Sequence, residues 1–564
     1  MRNVHTQIKP VVLTVLLFAQ LGSVAYAAPP DLPDAGQTMR ELQHQPELTA
    51  PKAVPPLRIE EPAPKTQTTD DVRMMVKSIR VSGSTVFTAK ELEALLADLI
   101  GGEHSIAELV QGITRITDYY HERGYVVARA YLPPQEIRDG ALSIEVLEGR
   151  IGEQHIHNQS RLSDQRANDY LRGIRNGDVL LAAPVDHAIL LLNDTPGVGV
   201  ARATLQPGAS VGTTDLVIEL DPSVPYAASI ELDDHGNYYT GEYRIGAALI
   251  FNSPLKMGDQ LTLNALTSDQ NMDYARVSYS VAVGGRGLKL GAAYSGTSYR
   301  LGKEFSATQS HGTASSSSLF ASYPFMRSQA GNLFGTVSWE KKQLSDDTFA
   351  STSDKQVLLR SFGLNGNHQD TLGGAGNTSF DLTLVQGRLS MDATSSDWYS
   401  LLQYQLTQTN GAYHRIAYNV QRQQRLTDTG SLSCRVSGQR ASKNLNSSEQ
   451  FSLGGVDGVR AYPQGEASGD QGWLLNLELR HGFQPALQGV LFYDVGSVDI
   501  KRNPYTYVAN IRNLSGAGIG ANAYLAGVQI KAYLAWRTDG GQPTSEPASL
   551  NRNPRLWLQL SKQF

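Results

Sequence analysis

With 564 residues, 40% of them hydrophobic, and a formal charge of −5, the chain has room for several domains but no basic excess for a phosphate backbone, so nucleic acid is excluded as a partner. A single cysteine, Cys434, excludes an internal disulfide framework, and no cysteine–histidine spacing suits a metal, so no cofactor is expected. The mean hydropathy is −0.29, and beyond the N-terminal leader no stretch approaches the roughly 20 apolar residues of a spanning helix, so a membrane passage has to be built from strands.

The chain opens with Arg2 and Lys9, an apolar run over 11–21 and the small-residue site Ala25-Tyr26-Ala27. This is the pattern of a signal peptide over residues 1–27, which takes the mature protein out of the cytoplasm. Residues 28–48 hold a short helical pattern in which Ala35, Met39 and Leu42 share a face. Residues 49–74 carry Pro51, Pro55, Pro56, Pro62 and Pro64, and prolines at that density favour an extended, semi-rigid linker. Two readings stand for this region: a detachable helix on a tether, or a tail with weak helicity.

Residues 75–150 read as strand, helix, helix, strand, strand. Thr88-x-x-Glu91 and Ser105-x-x-Glu108 are capping boxes, each opening a run of periodic leucines and isoleucines, and Gly124 stops the second helix. "YVVARAYL" (125–132) and "GALSIEVLEG" (140–149) follow as strands. Residues 151–222 repeat the order more loosely, so two small α+β modules stand in series.

From 223 to 564 the helical signals stop and period-two alternation takes over. Tyr243, Ile245, Ala247, Leu249 and Phe251 form one face of a strand, as do Val528, Ile530, Ala532, Leu534 and Trp536 of another. Aliphatics on one face and polar residues on the other suit lipid outside and water inside. At roughly 10 residues per tilted strand plus connections, about 16 strands fit. The final segment "LWLQLSKQF" puts Leu556, Leu558, Leu560 and the terminal Phe564 on one face, the form of an outer-membrane assembly signal. The expected fold is a membrane β-barrel of about 16 antiparallel strands, preceded by two periplasmic α+β domains and an N-terminal helix with its linker.

Within the barrel the stretch 454–473, "GGVDGVRAYPQGEASGDQGW", is rich in glycine and carries one arginine. Gly454, Gly455, Gly458, Gly465, Gly469 and Gly472 permit close backbone approach, as a loop folded into a crowded lumen requires. Inside a channel Arg460 needs a carboxylate partner. On the strand of "FYDVGSV" (492–498), Leu491, Tyr493 and Val495 take the lipid face, so Asp494 faces the lumen. By themselves these two residues also fit a solvated loop charge and a generic channel-lining acid.

Five segments decide between the readings: "NSPLKMGDQLTL" (252–263), "VSYSVAVGGRGLKLGAAYSGTSYRLG" (277–302), "SYPFMRS" (322–328), the loop stretch 454–473 and "FYDVGSV". With them the chain resembles the two-partner secretion outer-membrane transporters (TpsB family, haemolysin/haemagglutinin-type activator and secretion proteins). Ala461 stands where that family often has glycine, and "SVAV" where a proline is common. The resemblance implies two POTRA domains, at 75–150 and 151–222, in the periplasm of a Gram-negative bacterium, and a transporter that is not an enzyme. It implies capture of an unfolded exoprotein bearing an N-terminal secretion domain, and its passage through the barrel to the cell surface without ATP. Outer-membrane lipid and, during biogenesis, the barrel-assembly machinery are the other partners.

The resemblance also matches Arg460 and Asp494 to the motif positions of a lumenal latch, with Gly458, Val459, Ala461, Tyr462, Gly465, Gly469 and Asp470 as the loop motif. The helix of Ala35, Met39 and Leu42 is the expected pore plug. Exposed sheet edges of POTRA domains can add an extended client as a strand; the candidate edges lie near Val126, Val127 and Tyr131 in the first domain and Val200 and Leu205 in the second. The rivals are a barrel-assembly factor, an outer-membrane enzyme and a passive porin. No serine sits in a nucleophile context, and His155, His157 and His311 lie in unpromising surroundings for catalysis.

Overall fold

The computed structural model describes residues 32–43, 55–60, 73–349, 352–391, 407–505 and 507–564. The expected signal peptide and most of the expected linker lie outside the described residues.

The first α/β unit pairs Ser78–Ser82 in parallel with Ala141–Leu147, which pairs on its other side with Arg129–Tyr131. Leu142, Ile144 and Val146 alternate inward against the helices Ala89–Ala94 and Ile106–His121. Both helices open on complete capping boxes, Thr88 with Glu91 and Ser105 with Glu108, each reciprocal pair satisfying two otherwise orphaned N–H groups. The strand expected over 125–132 is shorter, because a turn closed by the Ala128 N–H on the Tyr125 carbonyl at 3.1 Å takes up its first half, and it begins only at Arg129. Val126 and Val127 then pack against the core of the next unit instead of lining an edge.

The second unit has the same order: strand Arg150–Asn158, helices Asp164–Leu171 and Ala182–Asn193, strands Val198–Pro207 and Thr213–Pro222. Its sheet has four strands, since Arg58–Ile59 lies parallel to Val198–Pro207 on the outer side.

Sixteen antiparallel strands, from Tyr226–Asp233 to Arg555–Gln563, close into a barrel. The longest neighbours, Gly331–Asp347 and Thr352–Asp370, pair continuously along their length. The closing pair is short, running from Ser229 opposite Gln563 to Asp233 opposite Gln559. Phe564 extends it, its N–H donating to the Ala228 carbonyl at 2.9 Å. Ile245, Leu249, Leu491, Tyr493, Leu556 and Leu558 face outward and are exposed along the wall, the apolar belt that lipid covers. The inward face is less watery than the alternation predicts. Near Asp494, Val490, Phe492 and Val498 are also buried on the inward side, packed against Leu453, Val459, Ala461 and Tyr462 of a loop that fills that part of the barrel.

Candidate functional site

The loop lies between strands Gly430–Ala441 and Gln471–Gln484 and turns back into the lumen as a short ribbon, Phe451–Ser452 paired with Ser468–Gly469. Gly458 has no room for a side chain, since a Cβ there would lie 2.0 Å from the Leu453 carbonyl oxygen. Its own carbonyl accepts from Asn476 Nδ2 at 2.9 Å. Ala461 fits because the wall opposite is Gly516: a Cβ on Gly516 would sit 2.5 Å from that of Ala461. Tyr462 is fully buried and donates to the carbonyls of Asp539 and Gly541 at 2.8 and 3.1 Å.

This tight tip delivers Arg460 to the wall. Its Nε donates to Asp494 Oδ2 at 2.8 Å and its Nη2 to Asp494 Oδ1 at 2.7 Å, while Nη1 donates to Glu478 Oε1 at 2.7 Å. Arg480 neutralises Glu478 from the other side, Nε to Oε2 at 2.9 Å. The four charges therefore balance, which is the condition for keeping them out of water. The guanidinium also lies over the ring of Phe492, 3.6 Å from its centroid, a contact strengthened by desolvation. Asp494 is wholly buried and receives a further bond from Asn476 Nδ2 at 2.7 Å. Trp557, on the last strand, donates its indole N–H to the Arg460 carbonyl at 2.7 Å.

Farther along the loop, Gly465 has φ +85° and abuts Gln37 and Glu41 of the N-terminal helix. A Cβ on Gly469 would lie 2.5 Å from the Asp499 carbonyl oxygen. Asp470 accepts the Leu445 and Arg502 N–H groups at 3.1 and 2.9 Å and the Gln450 amide at 3.0 Å, tying down the two flanks of the loop.

The helix Ala35–Leu42 lies inside the barrel. Asp34 caps it by accepting the Gln37 N–H at 2.8 Å. Ala35, Met39 and Leu42 are buried against Tyr274, Tyr299, Leu344 and Leu359 of the inner wall and Tyr239 of the connection between the first two barrel strands. The polar side grips both wall and loop: Ala35 N–H donates to Asp346 at 2.7 Å, and Arg40 donates to the Ser447 carbonyl at 2.8 Å and to Ser468 Oγ at 2.9 Å. Beneath it Glu449, fully buried, joins Lys342 at 2.8 Å and Arg415 at 3.0 Å.

Residues 212–523 match the sequence model described as haemolysin secretion/activation protein ShlB/FhaC/HecB, and residues 74–149 match the POTRA domain, ShlB-type. The chain belongs to this family. The heme/hemopexin transporter protein HuxB of Haemophilus influenzae (strain 86-028NP) is 28% identical, over 94% of this chain and 95% of its own length. The outer membrane transporter CdiB of Dickeya dadantii is 23% identical over 86% and 84%. The structure of CdiB from Escherichia coli superposes with a TM-score of 0.69 at 20% identity, over 94% of this chain and 96% of that one, which supports the fold alone.

As a member of this family of secretion transporters, the protein is an outer-membrane translocator of a partner exoprotein, with its barrel in the membrane and its POTRA domains in the periplasm. The second POTRA domain is bolted to the periplasmic rim of the barrel. Asp194, at the end of helix Ala182–Asn193, takes Arg327 in a bidentate pair at 2.6 and 2.9 Å. Lys289 Nζ donates to the Asp194 carbonyl at 3.0 Å. Gly285 and Gly287 admit the domain, since Cβ atoms there would meet Asp169 and Leu191.

Of the candidate edge residues, Tyr131 is exposed on its short strand and bonds Glu145 at 2.6 Å, whereas Val126 and Val127 sit at the junction of the two POTRA domains. Val200 is half-buried, and Leu205 is wholly buried in the domain core, so only its backbone faces the edge. The sequence reading missed Glu478, Asn476, Glu466 and Trp557. Asn476, Glu478 and Arg480 stand at alternate positions beside the inward Leu474, so their face was legible from the period of two. Glu466 was not: its partners, Thr544, Ser545 and Arg512, come from a distant loop and strand.

Proposed function

We propose that the POTRA pair receives the unfolded exoprotein in the periplasm, that the helix Ala35–Leu42 plugs the resting pore, and that the Arg460–Asp494 latch holds the loop against the wall while the client passes. The observation that carries this reading is that the lumen is filled by two elements of the chain itself. Both are seated largely by side-chain contacts that exchange without breaking the barrel ladder. With no nucleotide outside the cell membrane, the direction comes from the client, whose folding at the surface, worth about 5–15 kcal/mol for a domain, makes return unfavourable. Lipid packs on the outward belt, and the last strand with Phe564 is the feature the barrel-assembly machinery would read.

The test is deletion of the gene in its host. One large exoprotein should accumulate in the periplasm while other outer-membrane barrels assemble normally. A general failure of barrels would instead make the protein an assembly factor.

A further inference from the structure

The outward wall of the barrel carries a row of cations where it meets the extracellular leaflet. Strand Gly331–Asp347 starts beside Arg327 at the periplasmic rim and therefore ends outside. Lys342, Leu359 and Leu389 point inward, Lys342 onto Glu449 and the two leucines into the cluster that seats the N-terminal helix. Lys341, Arg360 and Arg388, each one residue away, therefore point outward, on the same side as the exposed Val337, Trp339, Phe362 and Leu384. Lys341 and Arg388 stand opposite Leu358, one on each side, and Arg360 lies two residues along from Leu358 on the strand between them. Diagonal neighbours in a ladder are about 7–8 Å apart, so three such long side chains can close on one point. Arg440 continues the row, exposed on strand Gly430–Ala441 on the same face as Leu432 and Val436. Lys341 lies eight residues above the outward Leu333, Arg388 eight above Phe380 and Arg440 eight above Leu432. At about 3.3 Å per residue and a tilt of about 40° this is roughly 20 Å along the membrane normal, which puts the cations at the upper margin of an apolar belt about 25 Å tall.

Cations grouped on a lipid-facing wall repel one another and are costly to hold there without an anion. Among the described residues none of the four is in an ion pair. Asp354, the outward acid farther out on the strand of Arg360, takes the Ser345 hydroxyl at 2.6 Å instead. On the flank the same level is neutral, with Ser317 opposite Lys341. We propose that Lys341, Arg360 and Arg388, with Arg440, form a binding site for the phosphates of an outer-leaflet glycolipid of the lipid A class. Charge and depth both fit, because the phosphates of such a lipid lie just above its acyl chains. Guanidinium groups offer phosphate oxygens paired N–H donors, and lysine adds a point charge. Trp339, directly across from Arg360, supplies an amphipathic ring at the interface, and Val337 and Phe362 below it give apolar surface to the acyl chains. A row spread sideways over neighbouring strands suits a headgroup with phosphates at the two ends of a disaccharide. The site is independent of the transport reading, since its residues face away from the lumen.

The test titrates diphosphoryl lipid A with a fluorescent acyl chain into the purified full-length protein in detergent micelles. The triple variant Lys341→Gln, Arg360→Gln, Arg388→Gln should bind roughly tenfold more weakly than the parent, and each single change should cost about two- to threefold. These side chains face detergent, so the variants should keep the heat-dependent gel shift of a folded barrel. Lys341→Arg should bind like the parent. Arg300→Gln, which removes an exposed cation at the far end of strand Leu288–Arg300, should change nothing. Dephosphorylated lipid A should bind the parent no better than the triple variant does the phosphorylated form. Neither inorganic phosphate nor phosphatidylglycerol vesicles should displace the probe at equal phosphate concentration. Undiminished binding by the triple variant, an equal loss in Arg300→Gln, indifference to the phosphates of lipid A, or displacement by phosphatidylglycerol or free phosphate would each overturn the proposal. If the triple variant does not fold, the three single variants carry the test, and parental affinity in all of them overturns it.

Discussion

At the scale of single residues, Arg460 meets every demand a buried cation makes: two carboxylates, a compensating arginine and an aromatic face. Arg460→Ala strands the fully buried Asp494 without its charge partner, an arrangement that costs about 3–5 kcal/mol. Its urea midpoint in detergent should fall accordingly, and the double variant Arg460→Ala, Asp494→Ala should lose less than the two single changes summed. Arg460→Lys should behave nearly as badly, since an ammonium gives up both the two-pronged bond and the stacking on Phe492. In the first POTRA domain, Glu148 is a buried acceptor for Thr85 and Val86 N–H at 2.7 and 2.8 Å and for the Tyr120 hydroxyl at 3.0 Å. Burial pushes its carboxyl up, but these donors, led by the Thr85 hydroxyl, outweigh burial and hold it below the usual glutamate range. A carboxyl lowered by folding stabilises the domain above its unfolded pKa, about 4.3, and loses that contribution as the pH falls through the lower folded value. Amide exchange at Val86 should therefore quicken below about pH 4 in the parent, whereas Glu148→Gln should be destabilised by about 1–3 kcal/mol at neutral pH and respond less to acid.

At the scale of elements, an eight-residue helix has no stability of its own in water, so whether residues 35–42 are helical depends on the seat the barrel gives them. Met39 is wholly buried in that seat, and burying such a side chain is worth about 1.5–3 kcal/mol. Met39→Asp should shift the helix out of the lumen and raise the open probability of single channels in planar bilayers. Arg40→Ala, which loses bonds to Ser447, Gln450 and Ser468, should do so more mildly. Unchanged conductance in both would remove the plug. The POTRA–barrel joint gives a separate test: Asp194→Arg should loosen the domain, seen as faster amide exchange across helix Ala182–Asn193, and the swap Asp194→Arg with Arg327→Asp should restore it. The elements that sequence made legible are those governed by local rules. Capping boxes placed the helices of the first domain, and strict alternation placed Asp494 on the inner face before any partner was known. What escaped depends on contacts between distant segments. Val126 and Val127 look like strand residues by composition, yet they form the middle of the turn from Tyr125 to Ala128 and pack on the neighbouring domain. Arg58 and Ile59 look like linker, yet they pair with a strand nearly 150 residues later. No local period encodes such meetings.

For the whole molecule, the size of the passage decides what form the client takes. Sixteen strands spaced about 4.8 Å and tilted about 40° close on a backbone radius of about 16 Å, before any inward side chain is counted. A folded domain of about 100 residues has a radius of gyration near 13 Å, equivalent to a solid radius of about 17 Å. It does not fit even an emptied barrel, and the loop pinned by Arg460 and Trp557 narrows the lumen further. An extended chain does fit once the helix leaves. Fusing to the exoprotein a small domain held folded by an internal disulfide should therefore halt secretion with the fusion spanning the membrane, and a reductant should release it. A disulfide closing only a hairpin-sized loop should pass, because it leaves the chain thin. The remaining route for a folded body is the seam between first and last strands, where the pairing is shortest. Cross-linking Leu232→Cys to Leu560→Cys, which stand opposite each other there, should leave secretion of the extended client untouched. If that bridge blocked release, or if the folded fusion crossed freely, the client would be leaving through an opened wall and not along the axis.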